Sequence, residues 1–103
     1  MAAFYNSTNI TSTGTSIELY QVPTGKTASF SINFCNRTIG NVKVRLAFSI
    51  TGTPASSDWV EYDVTILPKD TLQRLGIVLG SLMYVFVQSD TSGVSAQIWG
   101  FLE

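Results

Sequence analysis

Glu61 and Asp63 are the one pair of carboxylates in this chain that stand two residues apart. On a β-strand that spacing puts both side chains on the same face, where two carboxyl groups could divide the work of a general acid and a general base. Their neighbours supply a plainer reading. Val60, Tyr62, Val64 and Ile66 alternate with Glu61, Asp63 and Thr65, the pattern of a half-buried strand with a solvated side opposite its core side. Asp58, Asp70 and Asp90 stand in short polar stretches, where Asp favours turns by bonding nearby backbone. The chain has no histidine, and Cys35 is its single cysteine. Ser-His-Asp and Cys-His machinery and zinc sites of the usual nitrogen and sulfur type are therefore excluded. Cys35 reads as a small buried or half-buried hydrophobe, and no intramolecular disulfide is possible. No glycine motif for cradling phosphates occurs. The expectation is a protein that is not an enzyme and uses no cofactor or metal.

The bulk composition points the same way. A length of 103 residues suits one domain, whose core buries roughly two-thirds of the surface the unfolded chain exposes. Lys26, Arg37, Lys43, Arg45, Lys69 and Arg74 are dispersed, and the net charge is −1. Neither nucleic acid nor an anionic membrane is an expected partner. Charged residues make up 13% of the chain against 45% apolar ones, and that charged share is about half the usual one. Part of the surface is therefore expected to be covered in the working state. The first residues lack the pattern of a secretory leader, and no apolar run approaches the ~20 residues of a membrane span. Assembly in a cytoplasm is expected, and the sequons at Asn6, Asn9 and Asn36 are read as coincidence.

The elements that must position any site alternate with period two. Residues 1–14 are rich in Ser, Thr and Asn and are expected to form an extended arm, with residues 15–103 as a single β-sandwich domain. Ile17 and Leu19 open the pattern, and Pro23-Thr24-Gly25-Lys26 makes a turn, Pro fixing one φ and Gly permitting another. Ala28, Phe30, Ile32 and Phe34 then alternate with Ser29, Ser31 and Asn33. Val42, Val44, Leu46, Phe48 and Ile50 form the next inward row, and Val60, Tyr62, Val64 and Ile66 another. Thr71 to Leu79 breaks parity and is expected to hold a bulge or an irregular crossing, while Leu82 to Val87 is apolar throughout, a strand covered on both faces. Val94 to Leu102 closes the chain. Six to eight strands at about ten-residue intervals predict an all-β antiparallel sandwich, Ig-like or jelly-roll-like.

Aromatics of the wrong parity mark candidate binding surface. If Val94, Ala96 and Ile98 face the core, Trp99 and Phe101 face outward. Tyr84 and Phe86 lie opposite Met83, Val85 and Val87, and Phe4 and Tyr5 sit near the start of the chain. Contiguous large apolar surface is unusual on a monomer and typical of interface centres. Phe4, Tyr5, Tyr84, Phe86, Trp99 and Phe101 are therefore the expected interface. Trp59, beside Asp58 at the mouth of its strand, could instead stack on a sugar ring, the signature of a carbohydrate-binding module.

The run Ile17-Glu18-Leu19-Tyr20-Gln21-Val22-Pro23-Thr24-Gly25-Lys26-Thr27-Ala28 resembles the "LYTVPAGKTA" strand-turn-strand signature of small bacteriophage virion proteins. It leads, as in those proteins, into an alternating strand that ends in Cys35-Asn36. Leu67-Pro68-Lys69-Asp70-Thr71-Leu72 and the closing run Ser95 to Glu103 are similar to them as well. The resemblance implies a virion structural protein, assembled in the host cytoplasm, that docks on a symmetric particle. Its implied partners are copies of itself, often as trimers, and the major capsid or another virion protein. A short isolated module suits a capsid decoration, or cement, protein; a tail, baseplate or fibre component is the alternative. The segment Asn6 to Thr13 departs from the family look, so no docking residues carry over.

Overall fold

The alternation of residues 27–35 is the backbone of the core: Ala28, Phe30, Ile32 and Phe34 are buried, while the Ser and Asn residues between them lie on the outward side. A computed structural model describes residues 1–11 and 14–103. Its strands are β1 (Ala2–Ile10), β2 (Ile17–Gln21), β3 (Ala28–Asn36), β4 (Val42–Ser49), β5 (Trp59–Ile66), β6 (Thr71–Leu79), β7 (Tyr84–Ser89) and β8 (Val94–Leu102), with a short 3-10 turn at Ser56–Asp58. The chain is an all-β antiparallel sandwich of two four-stranded sheets, in the orders β1-β8-β3-β6 (sheet I) and β2-β7-β4-β5 (sheet II). Among the described strands, β4 and β5 alone form a hairpin within one sheet, and all other consecutive strands lie in opposite sheets. That strand order is a jelly roll. Two of its corners are tight turns requiring a left-handed residue, supplied by Gly25 after Pro23 and by Lys69 after Pro68.

The inner rows of both sheets meet in one core that includes Ile10, Leu19, Phe34, Leu46, Val85, Val87 and Ile98. Its one buried side-chain amide among the described residues, Asn36, is fully used. The Asn36 side chain donates to the carbonyls of Gly40, Ile66 and Leu67 and accepts from the backbone and hydroxyl of Thr38. It thereby fastens the β3–β4 loop to the β5–β6 corner, and burying it is tolerable because every polar atom has a partner.

Three expectations are corrected. Residues 2–10 are not an arm but the edge strand β1, in unbroken register with β8; Ser12 and Thr13, also in the expected arm, lie outside the described residues. A polar segment is held there by a few anchors. Ile10 is buried, Phe4 stacks on Tyr20 at 4.5 Å, and Asn6 donates to the Leu19 carbonyl. Gly100 of β8 lies opposite both Phe4 and Phe30, and its missing side chain lets the β3 backbone at Ser29 and Phe30 approach closely.

The second correction concerns β5. Its pairing with β4 carries one extra residue between Val64 and Glu61 and another between Glu61 and Trp59, with Asp63 at φ 54. Each bulge reverses parity. Val60 and Tyr62 are consequently exposed, and Glu61 lies opposite the core residue Leu46. The two carboxylates therefore do not share a face. Third, Ile50 and Leu82 are exposed: β4 stops at Ser49, and Leu82 sits at φ 66 in the turn before β7.

Candidate docking face

Parity along β8 decides what sheet I shows to solvent. Val94, Ala96 and Ile98 are fully buried, so Ser95, Gln97, Trp99 and Phe101 project outward. Register extends those rows across the sheet. Phe101 lies between Ala3 on β1 and Ser29 on β3, and Ser29 is opposite Val78 on β6. Trp99 lies between Tyr5 and Ser31. Beyond Ser31 the β6 strand bulges by one residue at the left-handed Gly76, which turns Leu75 outward. The next rows are polar, with Ser7, Gln97, Asn33 and Gln73, then Asn9, Ser95, Cys35 and Thr71.

One half of this face is thus apolar and the other hydrophilic. Tyr5 is 65% exposed, Trp99 37%, Phe101 50%, Leu75 67% and Val78 62%. The two serines in the middle leave a shallow floor between these larger side chains. Leu75 was not legible as surface, because the residue inserted at Gly76 reverses its parity relative to Ile77 and Leu79, whereas Val78 simply alternates with those two. The glycine itself, isolated inside a strand pattern, was the available signal.

The outward face of sheet II is built differently. Tyr84 and Phe86 stack at 5.6 Å, and Phe86 is only 4% exposed although it points away from the core, lying between Glu18 and Ala47. Trp59 is half-buried beside Ala47 and meets Tyr62 edge-on at 6.0 Å. The Arg45 guanidinium lies 3.9 Å from the Tyr62 ring centre and 5.8 Å from that of Trp59. It also donates to both Asp63 carboxylate oxygens, at 2.7 and 3.1 Å. This ion pair holds the Asp63 carboxyl below its usual value. A cleft of about 270 Å³ beside it is lined by Lys43, Arg45, Asp63, Gln88 and Asp90, among others. Its two cations are matched by two carboxylates.

Glu61 belongs to neither face. It accepts from Arg74 at 2.5 Å, joining the edge of sheet II to the edge of sheet I.

The six expected interface residues therefore separate. Tyr5, Trp99 and Phe101 come together on sheet I, joined by Leu75 and Val78. Phe4 turns inward onto Tyr20 and Phe30, and Tyr84 and Phe86 cover each other on the opposite face. Trp59, the expected sugar contact, already has its ring engaged by Arg45 and Tyr62. No protein-family model matches this chain, and no curated protein matches it.

Proposed function

We propose that this protein is a structural component of a bacteriophage virion, a capsid decoration protein that associates with copies of itself and docks on the particle through the outward face of sheet I. The observation that carries the reading is the apolar half of that face, where Tyr5, Trp99, Phe101, Leu75 and Val78 are all exposed. Removing such surface from water contributes about 25 cal/mol per Å², from which the loss of rigid-body freedom on association must be subtracted. A particle that presents many equivalent sites supplies a fitting partner. The likeness of residues 17–28 and 95–103 to virion proteins supports the same reading. The jelly roll is shared by viral capsid and lectin domains, so the fold alone does not separate these.

The test is co-sedimentation with empty capsids of the phage that encodes the chain, together with native mass spectrometry of the pure protein. Leu75→Ser, Val78→Ser and Phe101→Ser should each weaken capsid binding while leaving the fold intact, since all three side chains are at least half exposed. A wild-type protein that stays strictly monomeric and does not bind capsids would sink the proposal. Copy number then separates shell from tail: many copies per particle indicate decoration, and a few indicate a tail, baseplate or fibre part.

A further inference from the structure

The sandwich has four edge strands, β1 and β6 in sheet I and β2 and β5 in sheet II. An open edge offers unpaired N–H and C=O groups to any other strand, and proteins blunt such edges with bulges, charges, proline or short length. Three of these edges are blunted. β2 is five residues long, slips register between Glu18 and Tyr20, and carries a charge at Glu18. β5 slips twice and carries Glu61 and Asp63. β6 slips at Gly76 and carries Arg74. β1 has none of these devices. All nine of its residues pair with β8 without a slip, and its sequence AAFYNSTNI contains no charge, proline or glycine.

Antiparallel pairing with β8 uses the backbone groups of alternate residues, so the others point away from the sheet. Among the described residues, no β1 backbone group enters a backbone hydrogen bond outside the sheet ladder. Its contacts across the open side of the sandwich are made by side chains, Asn6 to the Leu19 carbonyl and Phe4 to Tyr20.

We propose that β1 pairs antiparallel with β1 of a second copy of this chain about a two-fold axis, fusing the two first sheets into one continuous sheet. This deepens the self-association part of the reading above and does not depend on the particle. The occupant is a second copy because, among the described edges, β1 alone offers a long, unslipped and uncharged run to match it. Self-pairing about a dyad sets a strand against its own composition, so any charge near the axis would meet its like. β1 has none to oppose. The pairing also consumes both free edges and closes the assembly at two.

With all nine residues engaged the axis passes Asn6, and outward residues meet outward residues. Tyr5 of each copy then lies opposite Ser7 of the other, and the apolar halves of both faces sit on the same side of the joined sheet. Tyr5, the β1 member of the exposed face, gains cover at the joint.

Sedimentation equilibrium over a range of concentrations tests this, using Ser7→Lys and Ser7→Glu. Ser7 is exposed, points outward and makes no side-chain hydrogen bond among those described. Each variant alone should dimerise about tenfold more weakly than wild type, because the two like charges stand diagonally across the joint within reach of each other. An equimolar mixture of the two should recover dimers of one Lys and one Glu chain. Amide exchange of the wild-type protein should slow in β1 as concentration rises, and not in β2, β5 or β6. A wild-type monomer at millimolar concentration overturns the proposal, as does a dimer or trimer indifferent to both charges, or protection that appears at another edge. Loss of capsid binding in Phe101→Ser with the dimer retained would separate failure of the docking face from failure of the strand joint.

Discussion

Both outward faces of the sandwich carry aromatic rings, but among the described residues only those of sheet II pair with one another. There Tyr84 stacks on Phe86, Trp59 and Tyr62 meet edge-on, and Arg45 lies over Tyr62 while bonding Asp63. Each ring has a neighbour, and Phe86 is as buried as a core residue. On sheet I, Tyr5, Trp99 and Phe101 enter no ring pair among the described residues, and their lateral neighbours include Ser29 and Ser31. An outward aromatic therefore does not by itself mark a binding surface. What marks one is a ring left unpaired beside a low neighbour, as Ser29 and Ser31 stand beside Phe101 and Trp99, and that depends on which residues the adjoining strands place in the same row.

The contrast is broken most severely at Gly100, the inward residue between Trp99 and Phe101. A Cβ there would lie 2.0 Å from the Ser29 carbonyl oxygen and 2.7 Å from the Phe30 Cα. Both are backbone atoms, so β8 must move off β3. Gly100→Ala should destabilise by about 3 kcal/mol or more, measured by urea unfolding, and with β8 displaced the rows of sheet I lose their alignment. A variant as stable as wild type would mean that β8 and β3 are not packed so closely. Smaller in effect, but more direct, is a matched pair of truncations. Phe86→Ala on sheet II should cost about 3 kcal/mol, as for a core aromatic. Phe101→Ala on sheet I should fall within about 0.5 kcal/mol of wild type. Equal losses at the two sites would erase the distinction between the faces.

The sequence made some of this legible because alternation is local. The inward rows of β3 and of β8 follow from parity, as does the outward placement of Trp99 and Phe101. The Pro23–Lys26 turn follows from residue chemistry. What could not be read was long-range. β1 looks like a polar tail because its hold on the sandwich comes from Phe4, Asn6 and Ile10, too few and too far apart to give a periodic signature. The parity of β5 is reversed by bulges whose left-handed residue is an aspartate rather than a glycine, so no punctuation announces them. Phe86 is flanked by Glu18 of β2 and Ala47 of β4, both far from β7 in the chain.

The subtlest difference between the faces is electrostatic. On sheet II the two hydrogen bonds from Arg45, with weaker attraction from Arg45 and Lys43, hold the Asp63 carboxyl below its ordinary value despite an opposing solvation effect. Asp63 consequently binds a proton less readily in the folded chain than in the unfolded one. Its contribution to stability is present above the unfolded value of about 3.9 and is lost as pH falls through the lower folded value. The pair is open to solvent, so the effect on overall stability is small. The local effect should be visible, because Arg45 also lies over Tyr62 and beside Trp59. With Trp99→Phe leaving Trp59 as the single indole, fluorescence should change on acidification with a midpoint below the ordinary Asp value. Asp63→Asn should abolish that transition. With Trp59→Phe instead, Trp99 should stay flat over the same range, since no carboxylate neighbours it in its row across β1, β8 and β3. A transition shared by both indoles would indicate acid loosening of the whole sandwich, and the aromatic cluster of sheet II would lose its claim to a separate electrostatic lock.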